Sequence, residues 1–296
     1  MKITALLIAC TLAACLTSCD NISESDRLQQ VARHEVDTTA TKPTEPQVDI
    51  FQPMQRHILV EDFTGQDCIN CPNATELVAG LQRKYGSDII IGVAIHSGPL
   101  GVKPQKNAEG LATDLGDVYY NYWNIEMQPY GVIDRSDGPL STDWWTPKVD
   151  YDLFEDLESK QPKMAPVNLR VQAALGHDRR QGSVVITVAA VQEDIEGMLQ
   201  VWLIENGINA YQRMPDGSTN RNYQHNHVLR AAINGTWGEA IALPQGQQQD
   251  FTYSLQVEPA YNPEQLAVVA FVYNFSDPRG VMQVVSQPVA TTAQQE

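Results

Sequence analysis

The sequence predicts an α/β domain followed by an all-β domain, behind an N-terminal stretch that does not fold. A chain of 296 residues is long enough for two domains and a tail. Residues 55–162 alternate strand-like and helical patterns, whereas helical periodicity disappears from Ala165 onward. A hydrophobic content of 43% with 19% charged residues is typical of a chain that buries cores, so general disorder is excluded.

The charge balance argues against nucleic acid as a partner. The chain has 20 Lys and Arg residues against 36 Asp and Glu residues, a formal net charge of −16. Its basic residues form no stripe that could follow a phosphate backbone.

Residues 1–18 have the order of a bacterial export signal. Lys2 precedes an apolar run at 3–16, which is shorter than the roughly 20 residues of a spanning helix. The run ends in Leu16-Thr17-Ser18-Cys19, which resembles a lipobox whose cysteine is acylated and becomes the new N-terminus. Cys15 ends a similar pattern, but Cys19 is preferred because it lengthens the apolar region and polar residues follow it. An ordinary cleaved secretory signal is the remaining alternative.

Residues 19–54 are interpreted as a flexible tether, since they are rich in Ser, Thr, Gln and Pro and lack apolar periodicity. The acidic start of this tether resembles the signal that sends some lipoproteins of anaerobic Gram-negative bacteria to the outer face of the outer membrane. The expected location is therefore the cell outer membrane. Acylated Cys19 would sit in its lipid, with the folded part facing the cell surface.

The first domain, residues 55–162, carries the two cysteines that lie outside the signal, Cys68 and Cys71. They follow a strand at 56–63 and a turn, and they precede a helix that Gly86 ends. The remaining predicted elements are a buried strand at 88–96, a helix at 107–123, a short strand at 130–134 and an acidic helix at 150–160.

This order resembles the thioredoxin-like fold. The CxxC lies between a strand and a helix, Asp62 stands where thioredoxins have a buried acid, and Pro129 precedes a strand as their cis-proline does. The chain departs from the pattern at Asp67, where a Trp usually precedes the first cysteine. It departs again at Ile69-Asn70, where the best-known members have Gly-Pro.

The resemblance implies thiol–disulfide exchange with a protein substrate. Two cysteines in a first helical turn share one face, and unpaired backbone N–H groups there stabilise a thiolate. Cys68 would attack and Cys71 would resolve the mixed disulfide. Asp62 would take the resolving thiol's proton, and a cis Gln128–Pro129 bond would present backbone to an extended substrate.

Other interpretations of these residues stay open. The cysteines could form a static disulfide, Pro129 an ordinary trans turn, and Asp62 a surface carboxylate. His96, at the end of the predicted strand 88–96, could lie near the same edge or be purely structural. A zinc site would need two further ligands from the histidines at 57, 96, 225 and 227, so no metal or cofactor is expected.

The second domain, residues 163–290, is predicted to be an immunoglobulin-like β-sandwich with a tail at 291–296. Its β-rich runs are 167–175, 183–191, 199–204, 228–233, 251–257, 266–273 and 281–285. His225 and His227 would share one face of a strand and could bind a metal, although hydrogen-bonding roles are the commoner use. Aromatic residues that could form a ligand surface, or simply pack, are Tyr211, Tyr223, Trp237 and Trp144-Trp145.

The order of segments is similar to a known family. The segments that carry the similarity are Asp62-Phe63-Thr64-Gly65, Asn70-Cys71-Pro72, Pro129 before Ile133-Asp134-Arg135, and 225–230. They resemble the 28-kilodalton outer-membrane lipoproteins of Gram-negative oral anaerobes. The resemblance implies a lipid-anchored outer-membrane protein, with an adhesin or receptor role proposed for the family. Two functions remain: exchange chemistry with a partner-binding β domain, or a non-enzymatic adhesin that binds a host surface ligand on a thioredoxin-like scaffold.

Overall fold

The computed structural model describes residues 49–105, 109–135, 163–276 and 280–291. The predicted signal, Cys19, almost all of the tether, the helix at 150–160, Trp144-Trp145 and residues 292–296 lie outside these ranges. Within them the chain is mostly β-sheet with two α-helices, as expected for an α/β part followed by a β-rich part. None of the described helices is long and apolar enough to cross a membrane.

The first elements follow the predicted order. They are β1 (Ile58–Thr64), α1 (Cys71–Tyr85), β2 (Ile90–His96), α2 (Asp114–Tyr122) and β3 (Tyr130–Ile133). The later strands are β4 (Val167–Leu175), β5 (Gln181–Ala190), β6 (Ile195–Glu205), β7 (Ile208–Arg213), β8 (Thr219–His225), β9 (Val228–Ala232), β10 (Glu239–Leu243), β11 (Gln248–Gln256), β12 (Leu266–Tyr273), β13 (Val281–Pro288) and β14 (Ala290–Thr291).

One large sheet joins strands from both predicted domains. Its order is β13-β12-β6-β9-β2-β1-β3, and β10 also pairs with β6. The join is between β2 and β9, where Ala94 pairs in parallel with Val228 and the Ala94 N–H donates to the His227 carbonyl at 2.9 Å. A second sheet has the order β11-β5-β4-β14, and β7 and β8 form a separate hairpin. The predicted boundary between 162 and 163 stays a prediction.

Both faces of the large sheet are covered, because successive side chains of its central strands belong to two different hydrophobic cores. In β12, Val268 and Ala270 belong to the core shared with the second sheet, whereas Val269 and Phe271 belong to the core that includes Tyr119 of α2. Because successive side chains of a strand point to opposite faces, a continuous apolar run such as β12 indicates burial on both sides. Every residue of β12 is buried.

The first helix packs on the sheet beside the cysteines. Ala74, Val78 and Leu81 recur at helical spacing, and all three pack with Ile58 and Val60 of β1. Gly86 ends the helix with a φ of 107°, a conformation that a residue with a Cβ rarely adopts.

The predicted helix at 107–123 is too long. α2 begins at Asp114, because the Thr113 side chain caps it by accepting a hydrogen bond from the Gly116 N–H. The preceding backbone is used differently, since the Ala112 N–H donates to the Val102 carbonyl at 2.9 Å.

The seven predicted β-rich runs each overlap a strand, but the strands β7, β8, β10 and β14 were not predicted. β8 reads TNRNYQH and is mostly exposed, so its composition resembles that of a loop. It is a strand because it pairs with β7, an interaction that its own sequence does not encode.

Candidate functional site

Cys68 and Cys71 form a disulfide at the junction of β1 and α1, with a Cα–Cα distance of 5.4 Å. Cys71 is the first residue of the helix, whereas Cys68 lies in the turn before it. The expectation that both occupy the first helical turn is therefore met by Cys71 alone. Gly65 allows this turn, because a Cβ there would stand 2.3 Å from the Leu100 carbonyl oxygen.

Both cysteines are buried. Cys68 is 2% exposed and Cys71 is fully covered, whereas Ile69 between them is 43% exposed. The β7–β8 hairpin lies against the turn that carries them. The Gln212 side-chain amide donates to the Cys68 carbonyl at 2.9 Å and to the Gly65 carbonyl at 3.1 Å. The oxidised pair thus lies beneath a hairpin that is bonded to the turn carrying it.

A second glutamine, Gln66 in the turn before Cys68, also hydrogen-bonds the β7–β8 hairpin. Gln66 is fully buried, and its amide nitrogen donates to the carbonyls of Glu109 and Tyr211. Its amide oxygen accepts from the Leu111 N–H, and its backbone carbonyl accepts from the Arg213 N–H at 2.8 Å. Gln66 and Gln212 together form what we call the glutamine clamp. Sequence reasoning missed both residues, since an isolated glutamine carries no local signal of such a role.

Asp62 lies in the middle of β1 and is 4% exposed. It shares its side of the strand with Ile58 and Val60, which pack against α1, so it lies on the face of the sheet that carries Cys71. Asp62 is thus buried on the same face as Cys71, and its role in proton transfer stays a prediction.

The Gln128–Pro129 peptide bond is cis, and it leads directly into β3. Gln128 holds this turn against the ends of two strands, because its amide nitrogen donates to the Thr64 carbonyl at 2.8 Å and to the Ser97 carbonyl at 3.0 Å. β3 pairs antiparallel with β1, and β2 pairs parallel with β1 on its other side. Pro129 thus lies at the same end of β1 as the cysteine turn.

A small cavity, here called the histidine cavity, adjoins the disulfide. It is lined by Thr64, Cys71, Ala94, His96, Tyr223 and His225 among others, with an empty volume of about 280 Å³ that includes open solvent. The rings of His96 and His225 meet edge-on with centroids 5.1 Å apart. His225 therefore packs against a histidine distant in sequence, a pairing that was not predicted.

Both cavity histidines are neutral near pH 7. Burial lowers the pKa of His96 well below 6.5, and the neighbouring His225 and Arg230 lower it further. Burial also lowers the pKa of His225, to about 4. Their ring nitrogens therefore carry lone pairs at physiological pH. In the part of the chain that the structure describes, no three His, Cys, Asp or Glu side chains converge as metal ligands.

Exposed aromatic rings gather at the end of α2, in what we call the aromatic patch. Tyr122 stacks with Trp123, Trp237 and Phe275, at ring-centroid distances of 5.1, 4.7 and 5.4 Å. Tyr122 is 44% exposed and Phe275 is 36% exposed. Of the aromatic residues proposed from sequence as a ligand surface, Trp237 belongs to this patch, whereas Tyr223 lines the histidine cavity and Tyr211 bonds Asp67.

Two solved structures are similar to this chain. HBP35 of Porphyromonas gingivalis is similar in fold, with a TM-score of 0.57 at 14% identity over 81% of this chain and 78% of that chain. A crystallised domain of the outer membrane lipoprotein Omp28 from the same organism is 26% identical, covering 43% of this chain and 90% of that chain with a TM-score of 0.32. A search among curated proteins finds no match.

The family model described as "Outer membrane protein Omp28" matches residues 116–293, more than half of the chain. This match confirms the resemblance to the 28-kilodalton outer-membrane lipoproteins and the outer-membrane location expected from it. The chain belongs to the Omp28 family of outer membrane proteins.

Proposed function

We propose that the chain is a lipid-anchored outer-membrane binding protein whose thioredoxin-like part serves as a scaffold, and whose Cys68–Cys71 disulfide is structural in the closed conformation. The observation that carries this proposal is the burial of both cysteines beneath the β7–β8 hairpin. Exchange needs a sulfur that a partner's thiolate can reach, and reactive cysteines are partly exposed for that reason.

The thioredoxin-like assignment is supported by connectivity. β1 leads through the CxxC into α1 and then into β2, which is parallel to β1, and a cis-proline leads into an antiparallel β3 on the opposite edge of β1. The acid Asp62 lies on the helix-bearing face. The sheet β11-β5-β4-β14 packs on the strands β6, β10, β12 and β13, which supports the β-sandwich assignment.

The lipid anchor is supported by the lipobox at Leu16-Thr17-Ser18-Cys19. Metabolic labelling with palmitate tests it: Cys19→Ser should abolish labelling, whereas Cys15→Ser should leave it unchanged. Labelling that Cys15→Ser abolishes would move the anchor to that residue. Protease treatment of intact cells tests the orientation, and the protein should be digested if it faces the cell surface.

The binding role is supported by the aromatic patch, because contiguous exposed aromatic side chains are enriched where proteins recognise partners. We propose a protein ligand on the host or neighbouring-cell surface as the partner. The test is adhesion of cells that display the chain with Tyr122→Ser and Phe275→Ser, with Met164→Ser, a substitution of an exposed apolar residue outside the patch, as control. Adhesion should fall for the patch variant only, and equal adhesion of both variants would contradict the assignment.

The absence of turnover is tested by insulin reduction. The oxidised chain should not accelerate the reduction of insulin by dithiothreitol beyond the rate that Cys68→Ser gives. Catalysed turnover that Cys68→Ser removes would contradict the scaffold proposal and establish the exchange activity instead.

Gated exchange is the second candidate, favoured by the cis-proline and the CxxC lying at one end of β1. If the hairpin opened, a partner thiolate would attack the Cys68 sulfur and release the Cys71 thiolate. A second partner thiol would then displace Cys68, so that the partner becomes a disulfide and the pair becomes a dithiol. Gln212→Leu separates the two candidates. If exchange requires the hairpin to open, this variant should reduce insulin faster than the wild type. If the disulfide is structural, the rate of insulin reduction should not change.

A further inference from the structure

The histidine cavity contains two buried imidazole rings, each with one ring nitrogen that makes no hydrogen bond to the described residues. His96 is 3% exposed and His225 is 5% exposed. Within the described residues, Nδ1 of His96 and Nε2 of His225 have no hydrogen-bond partner. A buried polar atom left without a partner costs about 1–3 kcal/mol, so two in one cavity call for an explanation such as an absent ligand.

The two rings stand at a separation that suits a shared metal ion. With metal–nitrogen distances of about 2.0 Å, two imidazoles on one ion have centroids about 5 Å apart at a tetrahedral donor angle and about 6 Å apart at a linear one. The centroids of His96 and His225 are 5.1 Å apart. The proposal requires the side-chain torsions of both rings to adjust so that the two lone pairs meet at one ion.

The ring nitrogen of His225 that would not bind the metal is hydrogen-bonded to backbone, as is common in histidine metal ligands. The backbone at Tyr211 and Ala210 hydrogen-bonds this ring. Because Nε2 has no partner, the bonding nitrogen is Nδ1, which leaves Nε2 as the free lone pair. Histidine ligands commonly donate their other ring nitrogen to a backbone carbonyl, which fixes the tautomer that binds metal.

The identity of the metal follows from charge and ligand number. None of the described residues that line this cavity carries a carboxylate, and Arg230, whose charge is paired with Glu205 at 2.8 Å, lies nearby. A monovalent ion is therefore less costly to bury here than a divalent one. Zinc prefers four protein or water ligands in a tetrahedron, whereas a soft monovalent copper ion accepts two or three.

We propose that the histidine cavity binds one Cu(I) ion through Nδ1 of His96 and Nε2 of His225. This site does not depend on either candidate role of the disulfide, because its two ligands are imidazoles and it forms while Cys68 and Cys71 remain oxidised. The proposed function would then include binding of a metal ion next to the disulfide.

The test is competition for Cu(I) against bicinchoninate in ascorbate under argon, since ascorbate keeps copper reduced without reducing protein disulfides. The sample is the mature chain with Cys19→Ser, in which Cys68 and Cys71 are the only cysteines and mass spectrometry verifies their disulfide. One equivalent should bind. Both His96→Gln and His225→Gln should weaken binding at least ~10-fold. The control His177→Gln, an exposed histidine in the turn between β4 and β5, should leave binding unchanged.

A wild-type measurement keeps the test valid if a variant fails to fold. Long-range proton–nitrogen spectra of the histidine rings should show Cu(I) shifting Nδ1 of one ring and Nε2 of another, assigned to His96 and His225. Shifts confined to other histidines, affinity that neither variant changes, or equal loss in His177→Gln would overturn the proposal. Stronger binding of Zn²⁺ than of Cu(I) would overturn the assignment of the metal.

Discussion

Arg135 is a buried charge held in an aromatic cage. Its guanidinium is 1% exposed and lies 4.6–5.8 Å from the ring centroids of five aromatic side chains. Its charged partner is the fully buried Glu61, at 3.4 Å. Burial raises the pKa of Glu61, an effect that the Arg135 charge opposes. The pair links the second residue after β3 to the middle of β1 and to the core on that face.

Replacing one member of this pair should lower the free energy of unfolding much more than replacing both members. Arg135→Met leaves the Glu61 carboxylate buried and unpaired, so the free energy of unfolding should fall by about 3–5 kcal/mol. Glu61→Leu combined with Arg135→Met should recover most of that loss. Urea unfolding of the two single variants and the double variant measures the coupling. Additive losses would contradict the pairing.

His225 gives a pH dependence with a definite sign. Its pKa is about 4 in the folded chain because of burial, against 6.5 for an ordinary histidine, and His96, Tyr223 and Arg230 surround it. Between these values the unfolded chain binds a proton that the folded chain does not, so stability is lost as the pH falls.

Relative to His225→Gln, the wild-type free energy of unfolding should therefore decrease by up to about 3 kcal/mol between pH 7 and pH 4. Denaturant titrations at several pH values measure the difference, with His177→Gln as the surface control. A difference that stays constant with pH would show that His225 titrates normally.

The β7–β8 hairpin is the element that decides whether the disulfide can be reached. It contributes Gln212 and the Tyr211 carbonyl to the glutamine clamp, and Tyr211 donates its hydroxyl to Asp67 at 3.2 Å. The Arg213 N–H also donates to the Gln66 carbonyl at 2.8 Å. Opening of the hairpin would have to break these bonds.

Gln212→Leu should loosen the hairpin. It leaves the carbonyls of Gly65 and Cys68 buried without their amide donor, at a cost of roughly 1–3 kcal/mol in the free energy of unfolding. Gln224→Leu is the matched control, because Gln224 lies on the same hairpin with an exposed side chain. Equal stability of the two variants would show that the clamp does not hold the hairpin.

The same hairpin shows what the sequence could and could not predict. α1 and β12 were predictable, because helical spacing and a continuous apolar run are properties of each segment alone. β7 and β8 were not, since a polar segment becomes a strand only through its partner. The contacts of Gln66, Gln212 and His96 with distant segments depend in the same way on tertiary structure, whereas Asp62, Pro129 and the cysteines could be located from local order.

At the scale of the whole molecule, the large sheet runs through both predicted domains. The β2–β9 pairing and the core that joins Leu59 and Phe63 to Trp202 and Phe271 connect the α/β part to the β-rich part. The described residues also fall within one compact unit, Pro43–Glu296. The two parts therefore share a hydrophobic core as well as a sheet.

Unfolding should therefore be a single cooperative transition. Urea titrations followed by tryptophan fluorescence and by far-UV circular dichroism should coincide, since Trp202 lies in the shared core and the strands of both parts contribute to the dichroism. Two separated transitions would show that the parts fold independently in spite of the common sheet.

The rate at which dithiothreitol reduces the Cys68–Cys71 disulfide tests the central claim most directly. Alkylation of the released thiols followed by mass spectrometry measures this rate in the folded chain and in the same chain unfolded in urea. If the hairpin covers the pair, reduction of the folded chain should be at least ~100-fold slower, because attack must await an opening that costs about 3 kcal/mol or more. Equal rates in the two states would show that the disulfide is accessible and would contradict the account.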